Sequence, residues 1–523
     1  MKSILKNFQL NARRAGAAPE RLLADELCRQ LGIPREALRE ITVLNRSTDS
    51  RHADPVLNYK LLIDVEDRFA SRLVPAAPEE LSALAPATLQ LPASSLRCPL
   101  VLGTGPAGIF GALALALAGC RPVVLERGAE VETRCADHAK FLRTRELDEE
   151  SNLLIGEGGA GTFSDGKLYT GTRDGRGRFV IDSLIAAGAP PEIRFLSRPH
   201  VGSDHLRGIC AALRRRIGEL GGEFRFRASV REFLTRDGRF TGVRLADGEK
   251  LEAPALLFAP GLGGRELVRE IATRFGGAET KPFQLGCRIE HPQELIDRRQ
   301  YHGSRPECLG AAEYHIAAGG VSSFCMCPGG TIVNASAWNG HSCTNGMSNF
   351  ARAGEFANAA LIVTLRPEEF SGAETPFRII ENIEREVFRR GGSNYTFPAQ
   401  DAAAFLNGAA RLSRQSGSAE TGYIPGSLDD MLPGKVRDAL AGALREFDRR
   451  IPGFIRHGVL VGAEPNVSSP LRLLRGADGA WSVLPGVYPA GEGVGAAGGI
   501  VSAACDGIRS AEAMLHSFPA AGA

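Results

Sequence analysis

The sequence predicts an α/β fold: a Rossmann-like dinucleotide-binding domain that is discontinuous along the chain, an α+β substrate-side domain inserted into it, and a small α+β domain at the amino terminus. Two glycine-rich strand–turn–helix segments, one beginning at Pro99 and one at Gly486, predict the split domain. The stretch between them, with its own strands and long amphipathic helices, predicts the insertion. A chain of 523 residues holds two or three domains, and the reading divides it at residues 1–95, 96–280, 281–456 and 457–523, the second and fourth segments being the two parts of the dinucleotide-binding domain.

The amino-terminal domain reads as a strand over Ser3–Gln9, a helix over Pro19–Leu31, and strands near Ile41–Leu44 and Leu57–Val65. A Pro/Ala/Ser-rich linker with some helix follows over Pro75–Ser95. This unit can serve as a lid, a docking module or an RNA contact. Its arginines, Arg13, Arg14, Arg21, Arg29, Arg35 and Arg39, are balanced by acids, which favours solvated faces over a nucleic-acid footprint.

Pro99-Leu-Val-Leu-Gly-Thr-Gly-Pro-Ala-Gly108 reads as an apolar strand running into a G-x-G-x-x-G turn at Gly103, Gly105 and Gly108. An Ala/Leu-rich helix to about Gly119 and a second strand, Arg121-Pro-Val-Val-Leu-Glu126, complete a βαβ unit. Each glycine has a purpose: Gly103 permits the tight turn, Gly105 lets a pyrophosphate approach the backbone, and Gly108 lets helix and strand pack closely. The helix N-terminus, with Pro106 and Ala107 in its first turn, offers free N–H groups and a positive dipole to phosphates. Glu126, with Arg127 beside it among the cofactor contacts, follows at about the ~20-residue spacing expected of the acid that binds an adenosine ribose. A carboxylate there repels a 2′-phosphate, so FAD or NAD fits better than NADP. The uncharged run Pro99–Gly119 suggests a membrane span, but its Gly/Pro interruption leaves an apolar helix of about a dozen residues, short of the ~20 that crossing requires.

Gly156-Glu-Gly-Gly-Ala-Gly-Thr-Phe-Ser-Asp-Gly-Lys167 is a glycine-rich loop able to bring backbone donors close to a planar ligand, with Gly158, Gly159, Thr162, Ser164, Gly166 and Lys167 as its candidate contacts. Similar loops in fumarate-reductase-like flavoproteins pass beside the isoalloxazine. Leu206, Ile209, Leu213, Ile217 and Leu220 then have helical spacing and end at Gly221-Gly222. Strands follow through Phe224–Phe233, Thr241–Leu245 and Ala255–Ala259, with turns at Asp237-Gly238 and Asp247-Gly248, and Gly261 beyond the last of them is a further cofactor contact.

At the other end, a strand through Val487–Ala490 runs into Gly491-Glu492, a glycine turn through Gly498 and Gly499, and a helix opening at Ile500. This segment resembles the one in glutathione-reductase-type flavoproteins, where an acid after the strand bonds the ribityl/phosphate region and the next helix aims its N-terminus at the flavin. Such a dipole stabilises the negative charge of reduced flavin. NAD-only enzymes lack this second contact set, so the pair of motifs favours FAD.

In the insertion, Cys325 and Cys327 flank Met326 before Pro328-Gly329-Gly330. If Ser323–Met326 is a strand, both thiols point to one face, and an internal disulfide is not expected, since Cα atoms roughly 6.5 Å apart with parallel side chains lie near the edge of disulfide geometry. They read either as two small buried residues or as a cavity wall facing the flavin, where a thiol acts as acid or transient nucleophile. His291, His315 and His341 read as structural. No CxxC, His-Glu-x-x-His, P-loop or G-x-S-x-G element occurs, so no metal is expected.

Together with Asn45-Arg-Ser-Thr-Asp-Ser-Arg51, Lys281-Pro-Phe-Gln-Leu-Gly-Cys-Arg-Ile-Glu-His-Pro-Gln-Glu-Leu-Ile-Asp297, Ser323-Phe-Cys-Met-Cys-Pro-Gly-Gly330 and Asn345-Gly-Met-Ser348, these segments make the chain resemble a bacterial family of FAD-dependent dehydrogenases of unassigned substrate. The resemblance covers most of the chain and implies FAD binding and redox chemistry. The chain departs from the family in two places: Gly261-Leu-Gly-Gly-Arg265 stands where a Gly-His-Ser-Ala-Arg-like turn is expected, and Ser336-Ala-Trp-Asn339 where a Ser-Glu pair is expected.

The remaining features agree. With 62 Lys+Arg against 60 Asp+Glu the net charge is +2, which gives no bias toward nucleic acid. Eleven scattered cysteines and a start, Met1-Lys-Ser-Ile-Leu-Lys6, without an apolar run lead to the expectation of a reducing, cytoplasmic location. The expectation is therefore an FAD-dependent oxidoreductase acting on a small-molecule substrate, with an unidentified electron donor or acceptor and no membrane contact. An RNA-modifying flavoprotein and a binding module with structural FAD are the alternatives. With no second nicotinamide-binding Rossmann unit in view, direct reduction by NADPH or NADH is expected to be weak or absent.

Overall fold

The computed structural model describes residues 2–70, 73–82, 84–171, 174–414 and 416–520. Alternation builds the amino-terminal domain. In β1 (Lys2–Asn11), β2 (Leu38–Asp49) and β3 (Val56–Val65), side chains of period two face a common core, as Leu57, Tyr59, Leu61, Ile63 and Val65 show. The sheet is antiparallel in the order β2-β3-β1, with Val74–Pro75 on its far edge, and α1 (Pro19–Leu31) buries Leu23, Leu27 and Cys28. The domain is fastened to the rest of the chain. Arg46 N–H donates to Phe195 O at 2.8 Å and Ser197 N–H returns to Arg46 O at 3.0 Å. Arg13 reaches the carbonyls of Tyr301 at 2.6 Å and Ser304 at 3.1 Å, so this arginine, though partly exposed, is a fastening contact.

The dinucleotide-binding domain runs through β4 (Leu100–Leu102), α2 (Pro106–Leu117), β5 (Val123–Leu125), α3 (Val131–Thr144), α4 (Ser203–Glu219) and β6 (Glu223–Arg225). It continues through β7 (Val230–Arg236), β8 (Arg239–Leu245), β9 (Lys250–Glu252), β10 (Leu256–Phe258) and α5 (Arg265–Phe275). The expected single run Phe224–Phe233 is two strands in different sheets, separated where Arg227 takes φ 53°. β6 joins the parallel sheet, while β7, β8 and β9 form a separate antiparallel meander.

The inserted domain contains β11 (Phe283–Pro292), β12 (Val321–Cys327), β13 (Phe356–Leu365), α6 (Thr375–Arg390), β14 (Phe397–Asp401), α7 (Gly434–Arg450) and β15 (Val459–Glu464). Its seven-stranded sheet has the central order β12-β13-β11-β15-β14. The sequence reading placed residues 457–464 in the returning half of the dinucleotide-binding domain. Instead β15, buried along its whole length, is hydrogen-bonded between β11 and β14. The chain enters and leaves the insertion side by side, through the antiparallel pair Ala278–Thr280 and Leu471–Leu473.

After that crossing come β16 (Val487–Pro489) and α8 (Ile500–Ser517). The parallel sheet is ordered β16-β10-β4-β5-β6. Its strands alternate between two cores: Val101, Val124, Leu257 and Tyr488 face α2 and α8, while Leu100, Leu125, Leu256 and Phe258 face the meander. That arrangement explains the uncharged run at Pro99–Gly119, because α2 is buried from Ala107 to Ala116 between the sheet and α8. Among the described residues no helix is long and apolar enough to cross a membrane.

Candidate functional site

β4 ends at Leu102, and the chain turns at Gly103 with φ 92°, where a Cβ would stand 2.2 Å from Ala259 O. Gly108 lies over that turn, since its Cβ would meet Gly103 O at 1.8 Å. Gly105 is different. It is the N-cap of α2 in an extended conformation, and nothing lies within 4 Å of where its Cβ would stand. The helix it opens has no acid in its first turn, and the first N–H groups of any helix lack intrahelical partners. An open approach to backbone donors at a positive helix end fits a pyrophosphate.

Glu126, buried at the end of β5, accepts the N–H of Thr104 at 3.0 Å, the Thr104 hydroxyl, and the N–H of Gly128 at 2.9 Å. It therefore ties the turn to the second strand. Arg127 turns to the surface side and grips Glu150 through two bonds of 2.9 and 3.1 Å.

The glycine loop comes down on this cradle. Gly158 N–H donates to Thr104 O at 3.2 Å, and a Cβ on Gly159 would lie 3.4 Å from Gly105 Cα. A Cβ on Gly161 would lie 3.8 Å from Pro106 and 3.9 Å from Ile500, so the loop lies between the openings of α2 and α8. Thr162 closes its own turn by donating to Glu157 O at 2.9 Å. What holds the loop is Arg134 on α3, which the sequence reading missed. It is wholly buried, donates from Nε to Asn152 O at 2.7 Å and from a terminal nitrogen to Glu157 O at 2.6 Å, and lies 4.9 Å over the ring of Phe163. Burial pushes its pKa down to about 10. Within a charged helix such as Val131–Thr144, an arginine at this position reads as surface, and only its spatial neighbours reveal it.

The far end of the loop leaves the cradle. Ser164 donates back to Gly161 O at 2.7 Å, and Gly166 packs on Val201 and Gly202. The Lys167 ammonium is bonded to the Asp165 carboxylate and the Met326 carbonyl, which ties it to the inserted domain and not to the glycine turn.

The carboxyl-terminal segment completes the site. A Cβ on Gly507 would meet Ala107 O at 1.9 Å and one on Gly491 would meet Ala107 Cβ at 2.9 Å, so α8 crosses α2 at its first turn. Gly491 N–H is held by Asp506 at 2.9 Å, itself paired with Arg475. Gly493 stands against the carbonyl of Gly261, which brings β10's loop to the same place. Glu492 accepts the Ser469 N–H at 3.1 Å and lies 3.9 Å from the Lys281 ammonium, and burial raises its pKa. Gly498 packs on that carboxylate, and Gly499 caps α8, whose first turn again carries no acid. Gly103–Gly108, Gly158–Thr162, Gly261 and Gly491–Ile500 thus come together, while Ser164 is bonded to the loop at Gly161, Gly166 packs on Val201 and Gly202, Lys167 pairs with Asp165 and Arg127 with Glu150.

The cysteine strand differs from the regular pleat expected of it. Cys325 takes φ 43°, and the pairing of β12 with β13 slips between Phe324 and Cys327. The extra residue breaks the alternation: Cys325 is partly exposed, Cys327 is buried, and Cys327 Sγ turns back to 3.3 Å from Cys325 O. Around them stand Lys167 and Arg288, the latter wholly buried, paired with Glu464 at 2.8 Å and with Asn358 at 2.6 Å.

Gly261–Arg265 and Ser336–Asn339 meet each other. Arg265 stacks 3.8 Å over Trp338 and forms two bonds of 3.0 and 2.7 Å with buried Glu384, whose carboxyl is raised by desolvation. His291 is buried with Nε2 2.8 Å from Phe454 O, and burial lowers its pKa to about 4. Among the described residues no His, Cys, Asp and Glu group is arranged to hold a metal.

Residues 282–466 match the family described as "FAD-dependent protein, C-terminal domain-like". An uncharacterized protein of Clostridium beijerinckii is 37% identical over 521 residues, spanning 95% of this chain and 96% of its own. Among solved structures, CtdE in complex with FAD is 12% identical, with 80% of this chain and 84% of that one covered at a TM-score of 0.34. Glycine oxidase from Bacillus cereus is 9% identical, with 82% and 99% covered at a TM-score of 0.31.

Proposed function

The chain belongs to one family with the Clostridium beijerinckii protein and carries the domain of FAD-dependent proteins, and from that premise we propose that it is an FAD-dependent oxidoreductase acting on a small-molecule substrate. Its cofactor is FAD. The observation that supports this reading is the convergence of two acid-free helix openings, α2 at Gly105 and α8 at Gly499, under one glycine loop at Gly159–Gly161. A mononucleotide needs only one such opening, whereas a long dinucleotide uses both.

When bound, FAD supplies hydride or electron transfer at its N5/C4a region. The chain supplies position and field. Gly105 and the first turn of α2 would hold the pyrophosphate, Glu126 the adenosine ribose, and Glu492 with Gly498 the ribityl side. The α8 dipole would favour the negative charge that accompanies reduction. Ala160 of the glycine loop and Leu262 of the β10–α5 turn pack against the buried cluster of Leu154, Ile155, Ala337 and Trp338, which would help to keep water from that side of the bound cofactor.

The test is direct. The purified protein should be yellow, should release FAD and not FMN or NAD on denaturation, and should lose its flavin absorbance with dithionite. A dithionite-reduced sample should then be reoxidised by its substrate in a metabolite screen. A folded protein whose FAD neither reduces nor turns over with any metabolite would favour a structural cofactor.

A further inference from the structure

The chain passes into the insertion through Ala278–Thr280 and out of it through Leu471–Leu473, and Lys281 is the first residue beyond that crossing. Its backbone is fixed there, since Lys281 N–H donates to Pro470 O at 2.9 Å. Its side chain is mostly buried, 18% exposed, and turns toward Glu492. A lysine with no partner extends its ammonium into water along its apolar stem. The 3.9 Å from Lys281 Nζ to Glu492 Oε1 keeps opposite charges in attraction but exceeds a hydrogen bond. Among the described residues Glu492 is the acid within ion-pair reach of Lys281, and Lys281 the cation within reach of Glu492.

The carboxylate looks two ways. Oε1 accepts the Ser469 N–H at 3.1 Å on the side of the crossing. A Cβ on Gly498 would meet Oε2 at 2.1 Å, which sets the second oxygen against the glycine turn that opens α8. A carboxylate in that place works against the cofactor it would hold. FAD brings two phosphate charges of its own, and its ring gains negative charge when reduced, so an uncompensated Glu492 would oppose binding and oppose reduction further. Burial pushes the Glu492 pKa up, and the Lys281 ammonium leads the influences that oppose the rise.

We propose that Lys281 is a positioning residue for the redox reaction: its ammonium cancels the charge of Glu492, so that the carboxylate can hold the ribityl hydroxyls without repelling the reduced flavin. The assignment rests on the FAD reading above. Lys281 acts through Glu492 and touches neither substrate nor the reacting atoms. Its effect belongs to charge, so an arginine can replace it and a neutral side chain cannot, and removing both charges undoes the loss that removing one of them causes.

The test is the midpoint potential of the FAD-loaded protein at pH 8, read by anaerobic equilibration with a reference dye, with released-flavin assay and circular dichroism on the same samples. Lys281→Gln should fold, and its preference for reduced over oxidised flavin should fall about tenfold, a potential about 30 mV lower for a two-electron couple. Lys281→Arg should return the wild-type potential. Lys281→Gln combined with Glu492→Gln should return it too, which a merely structural lysine would not produce. If the single variant holds too little FAD to titrate, recovery of FAD by the double variant is the expected result and no recovery overturns the proposal. Arg472→Gln is the control: Arg472 lies on the same crossing, half exposed, directed to Gly495 O at 3.4 Å and Glu279 at 3.5 Å, and its loss should leave the potential in place. An unchanged potential in Lys281→Gln, an equal shift in Arg472→Gln, or a double variant as low as the single one would overturn the proposal. A wild type without FAD refutes the FAD reading, whereas a wild type full of FAD whose potential does not depend on Lys281 refutes the counter-charge alone.

Discussion

At the scale of single residues, Gly105 decides whether a pyrophosphate can reach the opening of α2. Its Cβ position opens onto free space, and its backbone has φ −63° and ψ 176°, which any residue adopts. Gly105→Val should therefore fold with near-normal stability and bind no FAD, checked by circular dichroism and released-flavin assay; a folded variant with full FAD would show that the pyrophosphate lies elsewhere. Asp165 offers a pH test. Desolvation alone would raise its carboxyl, but the Lys167 ammonium and Arg352 guanidinium overcome this and hold it at about 2, below the ordinary 3.8. A depressed carboxylate stabilises the fold above its unfolded pKa and loses that contribution as pH falls through the folded value. The melting-temperature penalty of Asp165→Asn should thus be full at neutral pH and fade between 3.8 and about 2. The turn at Gly103, the helix opening at Gly105, the close packing at Gly108 and the carboxylate of Glu126 at the end of the second strand were legible in the sequence, because spacing along one βαβ unit places them. Arg134, Glu384 and the left-handed Cys325 were not, because each gains its role from a neighbour distant in the chain or from a bulge that no pattern of residue types announces.

At the scale of elements, the crossing of α2 and α8 positions both helix openings. Gly507 permits it, since any Cβ there meets the Ala107 carbonyl at 1.9 Å, and a backbone oxygen within a helix has little room to yield. Gly507→Ala should cost roughly 1–3 kcal/mol or more in denaturant unfolding and weaken FAD retention together with it. A variant that keeps both would mean that the helices separate without disturbing the site. The βαβ unit and α8 were readable because strand, turn and helix lie contiguously. β15 was not, because a short apolar strand fits either neighbouring sheet equally well, and only hydrogen bonding to β11 and β14 decides between them.

At the scale of the whole molecule, the two large domains are linked by a buried ion pair as well as by the crossing strands. Arg265 stands at the start of α5, beyond β10, and Glu384 lies on α6 of the insertion. Glu384→Ala leaves a buried guanidinium uncompensated and should cost about 3–5 kcal/mol, whereas replacing both partners by apolar residues of similar volume should restore most of the loss, measured by denaturant unfolding. A single variant as stable as wild type would mean that water reaches the site. The central claim is that the paired helix openings and the glycine loop form one FAD site that carries redox chemistry, and cofactor analysis of the purified protein followed by anaerobic dithionite titration tests it most directly. FAD should be equimolar with the chain, fully reducible, and absent from Gly105→Val; a folded wild-type protein that contains no flavin and takes up none from added FAD would rule such a site out.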